Sequence, residues 1–149
     1  MKRLRVAVAG MGFIGFAHVE ALRRIPYVDV VAIADPVGAK EKAERLGVPS
    51  SYTDFVEMMD DCKPDCIHIC TPNNTHMSIA MAAIERGINV ICEKPMARNA
   101  DEAQLMVDAA NKKGLICALN FHNRYYPIPY RMRRLVQEGE LGQVYHVQG

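Results

Sequence analysis

Short, mostly apolar runs alternate along the chain with longer amphipathic ones. Leu4–Ala9, Val28–Ala34, Asp65–Cys70, Ile88–Cys92 and Leu115–Leu119 read as strands, and Ser50–Tyr52 as a minor one. Between them the spacing predicts helices over Phe13–Arg24, Lys40–Leu46, Thr75–Arg86 and a segment opened by Asn99 that runs to Lys113. A short helix capped by Thr53 is expected through Met59. Pro26, Gly47, Gly87 and Gly114 are the stops, and Glu102 stands at the capping-box position relative to Asn99. The longer strands are apolar on both alternating sets of positions, which is the pattern of parallel strands covered on two faces. The expected architecture is therefore α/β: a doubly wound parallel sheet in the order 3-2-1-4-5-6.

After Leu119 the pattern changes. Asn120–Tyr130 carries aromatics and two prolines, Ile128–Glu138 can form a helix stopped by Gly139, and Gln143–Gln148 alternates like a strand of another sheet. A final strand without a partner would leave open edges. Residues 1–119 are thus expected to form one domain. Residues 120–149 are expected to be the first helix and strand of a truncated second α+β domain.

Composition narrows the classes. Lys and Arg total 18 against 17 Asp and Glu, a net charge of +1, so there is no basic excess for nucleic acid or an anionic membrane. Trp is absent and aromatics are 7%, which disfavours a base-stacking surface. No apolar run reaches the ~18 residues of a membrane span. Lys2, Arg3 and Arg5 before Val6–Ala17 resemble a short signal peptide, but three glycines split that run better into a strand and a helix. The five cysteines include no C-x-x-C pair and read as buried thiols of a reducing cytosol. Cys62, Cys66 and His68 have the wrong spacing for the usual zinc knuckles, so no metal is expected.

Four motifs fall at predicted strand ends. Gly10-Met11-Gly12-Phe13-Ile14-Gly15 is a G-x-G-x-x-G between strand and helix. Its glycines suit a tight turn, close approach of a pyrophosphate and close helix–strand packing, with the helix N-terminus facing the phosphates. Asp35, twenty residues after Gly15, can accept both ribose hydroxyls of an adenosine and would repel a 2′-phosphate. That favours NAD over NADP, although Lys40 is close enough to blur the preference; a plain turn Asp before Pro36 is the alternative. Thr71-Pro72-Asn73-Asn74-Thr75-His76 places hydrogen-bonding side chains at the carboxyl edge of the fourth strand, where helix capping explains some of them equally well. Glu93-Lys94-Pro95 puts a charged pair at the end of a buried strand. It is either an acid–base lysine beside a cofactor or a surface ion pair.

Taken in order, these motifs resemble the glucose–fructose oxidoreductase and inositol dehydrogenase family (Gfo/Idh/MocA) over nearly the whole chain, continuing into Asn120, Arg124 and Glu140-Leu141-Gly142. The resemblance implies a Rossmann domain of a two-domain, NAD(P)-dependent oxidoreductase acting on a secondary alcohol of a sugar, inositol or related polyol. It implies that Gly10, Gly12, Phe13 and Ile14 contact the pyrophosphate and that Asp35 holds the ribose. Thr71, Asn73 and His76 would line the dinucleotide crevice. Glu93 and Lys94 would sit near the nicotinamide ribose, Lys94 also reaching the substrate hydroxyl as the catalytic base, with Asn120 near the nicotinamide and Arg124 at the substrate entrance. The family's further Asp and His lie in the second domain, so the 149-residue chain by itself is expected to be inactive. A free-standing dinucleotide-binding or sensor module is the rival, and a methyltransferase is disfavoured by Glu93-Lys94-Pro95. Self-association is left open.

Overall fold

The computed structural model describes residues 3–148. Met1, Lys2 and Gly149 lie outside the described residues, and with them the Lys2 part of the basic start. The strands are β1 (Leu4–Ala9), β2 (Val28–Ala34), β3 (Ser50–Tyr52), β4 (Cys66–Ile69), β5 (Asn89–Glu93) and β6 (Cys117–Asn120). They form one sheet in the order β3-β2-β1-β4-β5-β6, with every pair parallel. The order and the doubly wound topology are those read from the sequence.

Alternation within the strands builds two cores. Val6 and Val8 point to the face covered by α1 (Phe13–Arg23) and α2 (Ala39–Leu46), where they meet Val19, Leu22, Ala43 and Leu46. Ala7, Ala9, Ile67, Ile69, Val90 and Cys92 point to the other face. There α3 (Phe55–Cys62), α4 (His76–Glu85) and α5 (Ala100–Lys113) supply Met58, Met59, Ile79, Ile84 and Met106. The period of two within a strand therefore sends Cys66, His68 and Glu93 toward the α1 side. In β2 the period is interrupted. Val6 pairs with Val30 but Ala7 pairs with Ala32, so Val31 is an inserted residue in the β1–β2 ladder.

Several element bounds differ from the sequence reading. Helix α3 is capped by Asp54 rather than Thr53, because the Asp54 carboxylate accepts the N–H groups of Val56 and Glu57, and it runs on to Cys62. Such a cap stabilises a helix by ~1 kcal/mol. Asn99 caps α5 through the Glu102 N–H, while the Glu102 side chain accepts the N–H of Arg98 and pairs with its guanidinium. Beyond β6, a 3-10 turn at His122–Tyr125 leads into α6 (Pro127–Gln137), with Pro127 at the first helical position. The expected strand at Gln143–Gln148 does not form: the segment joins no ladder, since alternation defines a face but supplies no neighbouring edge to pair with. None of residues 121–148 is buried.

The five cysteines are free thiols, with Cys66, Cys70 and Cys92 buried. Among the described residues no cluster of side chains could hold a metal, and no helix is long and apolar enough to cross a membrane.

A candidate dinucleotide crevice

The carboxyl ends of β1, β2 and β4 open onto a cavity of about 550 Å³ lined by Gly10, Gly12, Phe13, Ile14, Asp35 and Thr71, among others. Two glycines here are forced by packing. Gly10 has φ +87°, and a Cβ on it would lie 2.7 Å from the Cys70–Thr71 backbone. A Cβ on Gly15 would lie 2.0 Å from the Gly10 carbonyl oxygen. Gly12 is different, because a Cβ there would meet nothing within 4 Å. Its missing side chain leaves open space at the start of α1, where Gly12 is the N-cap, no side chain caps the helix and the first turn holds no acidic residue. Free N–H groups and the positive end of the helix dipole face that space, which suits a bridging pyrophosphate. Phe13 stands over it, 92% exposed.

Asp35 closes the adenosine side. Its Oδ2 accepts the Met11 N–H at 2.7 Å, and its Oδ1 accepts the Val37 N–H at 2.9 Å and pairs with the Lys42 ammonium at 3.0 Å. Burial alone would raise the Asp35 carboxyl; the donors Val37, Lys42 and Met11 together outweigh it and hold it below the usual range. The cation at this carboxylate is thus Lys42, one helical turn into α2, and not Lys40.

The β4 and β5 ends are tied together by His76. The sequence placed this residue in the wall of the crevice, and the structure corrects that: it is 0% exposed. From the first turn of α4 its ring turns inward, with Nε2 2.9 Å from the Thr71 carbonyl and Nδ1 2.8 Å from the Pro95 carbonyl. Both partners are acceptors, so both bonds form together only when both ring nitrogens carry hydrogen. Asn73 is exposed at the start of a 3-10 turn, Asn73–Thr75, beside Thr71, whose hydroxyl lies 2.8 Å from that of Thr75.

At the end of β5, Glu93 also points inward rather than into the crevice. It is 4% exposed. Oε1 accepts from Asn120 and lies 3.1 Å from His18 Nε2, and Oε2 accepts the Lys94 N–H at 3.2 Å. Burial would raise this carboxyl as well, but Asn120, His18 and the Lys94 N–H hold it below the usual range. Lys94 itself is exposed, and among the described residues its ammonium makes no ion pair. The Lys94–Pro95 peptide is cis. Asn120 ends β6 in register with Glu93, and Arg124 is exposed on the turn that follows.

Sequence reasoning missed His18, and it weighed His68 only in a zinc trio with Cys62 and Cys66 that the spacing excluded. The two rings meet with Nδ1 atoms 2.8 Å apart, one from the apolar stripe of α1 and one from the centre of β4. A histidine in the otherwise apolar Cys66-Ile67-His68-Ile69 was the available signal. Burial, and then the nearness of His18, pushes the His68 ring down to about 4.

A glycine turn, an open helix N-terminus and a carboxylate at the neighbouring strand end define a dinucleotide-binding Rossmann domain. Comparison with known proteins gives the family: the chain belongs to the Gfo/Idh/MocA oxidoreductase family, whose NAD-binding Rossmann-fold model matches residues 4–121. The chain is 34% identical to levoglucosan dehydrogenase of Pseudarthrobacter phenanthrenivorans, across 100% of this chain and 41% of that protein. Among solved structures, myo-inositol 2-dehydrogenase of Lactobacillus plantarum superposes with a TM-score of 0.90 at 30% identity, covering 96% of this chain and 43% of its own. A levoglucosan dehydrogenase in complex with NADH gives 0.87 at 33% identity, covering 95% and 41%. The chain therefore spans about two fifths of the length of the relatives it matches.

Proposed function

We propose that this chain is the cofactor-binding part of an NAD-dependent dehydrogenase that oxidises a secondary alcohol of a sugar, inositol or related polyol. The observation that carries the reading is the continuous carboxyl edge that joins the open Gly12 space, the Asp35 carboxylate and the exposed Lys94. The relatives named for levoglucosan and myo-inositol support the substrate class. Nothing in those names favours a non-catalytic module.

A bound nicotinamide would supply the hydride acceptor for the carbon that bears the hydroxyl. The chain's own residues bind, orient and move the proton. Gly10, Gly12, Phe13 and Ile14 hold the pyrophosphate against α1, and Asp35 takes the adenosine ribose hydroxyls. Thr71 and Asn73 border the crossing. Lys94 takes the proton from the substrate hydroxyl, and Arg124 lies on the substrate side. Residues 120–149 are read as the start of a second, substrate-binding domain. The absence of any buried residue over 121–148 supports this, because such a segment needs another surface to cover it.

Calorimetry of the chain with NADH and NADPH tests the cofactor reading. NADH is expected to bind more tightly. No NADH binding, or tighter NADPH binding, overturns it.

A further inference from the structure

The buried polar group around Glu93 asks for an explanation. Four side chains from four elements meet there: His18 of α1, His68 of β4, Glu93 of β5 and Asn120 of β6. Burying that much polar surface is costly unless every group is satisfied, and among the described residues no buried side-chain N or O lacks a partner.

The hydrogen-bond roles can be worked out from the carboxylate. An ionised Glu93 only accepts, so His18 presents Nε2–H to Oε1. Asn120 Nδ2 is also a donor, so its 3.1 Å approach to His18 Nε2 is a shared visit to the same carboxylate oxygen rather than a bond between the two donors. The proton between the two Nδ1 atoms then comes from His68 whenever His18 carries a single proton. This gives a directed chain: His68 donates to His18, and His18 donates to Glu93. The second carboxylate oxygen accepts the N–H of Lys94, the residue that leaves the strand for the crevice.

We propose that His18 is a positioning residue: together with Asn120 it fixes the Glu93 carboxylate, and through the Lys94 N–H it fixes the turn that aims the Lys94 amine at the nicotinamide end of the crevice. His68 sets which nitrogen of His18 bears the hydrogen. The proposal rests on the reading of Lys94 given above. It assigns Glu93 an inward, structural role, with Oε1 shared by Asn120 and His18 and Oε2 on the Lys94 N–H. The groups facing Glu93 are His18 from α1, Asn120 from β6 and the Lys94 N–H, with the Cys70 and Cys92 thiols near enough to feel its charge.

Two substitutions separate positioning from packing. His18→Gln carries an amide N–H to the place of Nε2 and keeps the donor to Glu93. His18→Asn keeps a polar atom only at the place of Nδ1 and loses that donor. Both remove a ring, so a packing role affects them alike. Following the Glu93 carboxyl carbon by NMR, the acid dissociation constant is expected to fall about tenfold in His18→Asn and to stay near the parent value in His18→Gln. NADH is expected to bind about tenfold more weakly to His18→Asn, while ADP-ribose, which lacks the nicotinamide, binds as before. In the unsubstituted chain, nitrogen NMR is expected to find His18 with its hydrogen on Nε2. A His18 ring that carries its hydrogen only on Nδ1, or two variants with the same Glu93 titration, overturns the proposal. If the unsubstituted chain binds no NADH, the proposed function fails, and the Glu93 titration still decides whether His18 positions this carboxylate.

Discussion

Asp35 accepts the Met11 backbone N–H at 2.7 Å, so the carboxylate that would hold a ribose also holds the glycine turn that would hold the phosphates. The two halves of the adenosine site are one hydrogen-bonded unit. Replacing Asp35 with Ala is therefore expected to cost both binding and stability. The Met11 and Val37 N–H groups lose their acceptor, a loss of about 1–3 kcal/mol in unfolding free energy, and NADH affinity falls about tenfold or more. Denaturant unfolding and calorimetry on the same sample check both effects. Weaker NADH binding without any loss of stability would show that the turn does not depend on the carboxylate.

Lys42 sits on the same carboxylate and offsets the charge that would repel a 2′-phosphate. Lys42→Met is expected to widen the preference for NADH over NADPH, by about tenfold, because a charge-assisted contact to the phosphate is removed while the carboxylate remains. Competitive titration with the two cofactors measures the ratio. An unchanged ratio would mean that Lys42 serves only Asp35.

The glycines of the turn should separate cleanly in experiment. In Gly15→Ala the new methyl meets the Gly10 carbonyl, a backbone atom with little room to yield, and a loss of about 3 kcal/mol or more is expected in thermal or urea unfolding. Gly12→Ala meets nothing in the protein, so it should fold as the parent does and lose affinity for the dinucleotide. A Gly12→Ala chain that binds NADH normally would move the pyrophosphate away from this spot.

Acid should weaken the fold in two stages. The His68 ring is held neutral, down to about 4 against an ordinary 6.5. Below 6.5 the unfolded chain takes up a proton that the folded chain refuses, so stability falls as pH drops from about 6.5 to 4, by about 3 kcal/mol in total. Asp35 and Glu93 are depressed carboxyls, so their contribution is present above the ordinary carboxylate range and is lost only as pH falls through their lower folded values. Urea unfolding at pH 7 and pH 4.5 is the measurement. A His68→Asn chain should lose most of the first stage, and equal stability of the parent at both pH values would contradict the burial of a neutral ring.

In a catalytically active form that includes this chain, Lys94→Ala should lower turnover by ~10²–10⁴-fold, the usual contribution of a general acid–base group, with a smaller effect on cofactor affinity. Near-normal turnover would leave Lys94 as a binding contact.

The sheet was legible in the sequence because its central strands β1, β2, β4 and β5 are mostly buried and read as short, largely apolar runs between helical stretches. The crevice was legible for a related reason: glycines that packing and φ demand at Gly10 and Gly15 stand at fixed offsets from a strand. What could not be read was direction. Glu93 and His76 are polar residues at the carboxyl edge, and the sequence could not tell whether they turn outward to a ligand or inward to the backbone and to other side chains. Both turn inward, Glu93 to His18 and Asn120, and His76 to Thr71 and Pro95. The His18–His68 contact spans 50 residues of sequence, and neither residue marks the other. At Gln143–Gln148 the alternation was real, but pairing depends on an edge elsewhere, and no local pattern supplies one.

The inserted Val31 gives the β1–β2 ladder a phase that residue counting alone does not convey. Val31 and Ala32 both pack toward the α3–α5 side, and after them the two strands run in step to Ala9 opposite Ala34, with Gly10 N–H bonded to the Ala34 carbonyl. Each further residue along a strand advances the chain by ~3.3 Å and turns the side chain to the opposite face. Deleting Val31 would therefore make the ladder regular. Val30 and Ala32, already opposite Val6 and Ala7 and already on alternate faces, would become neighbours, and the ladder beyond them would keep Asp35 beside Met11. The bulge takes up an extra residue without moving the strand's end: the phase at Asp35 is set downstream of it, where Ala32–Ala34 run in step with Ala7–Ala9.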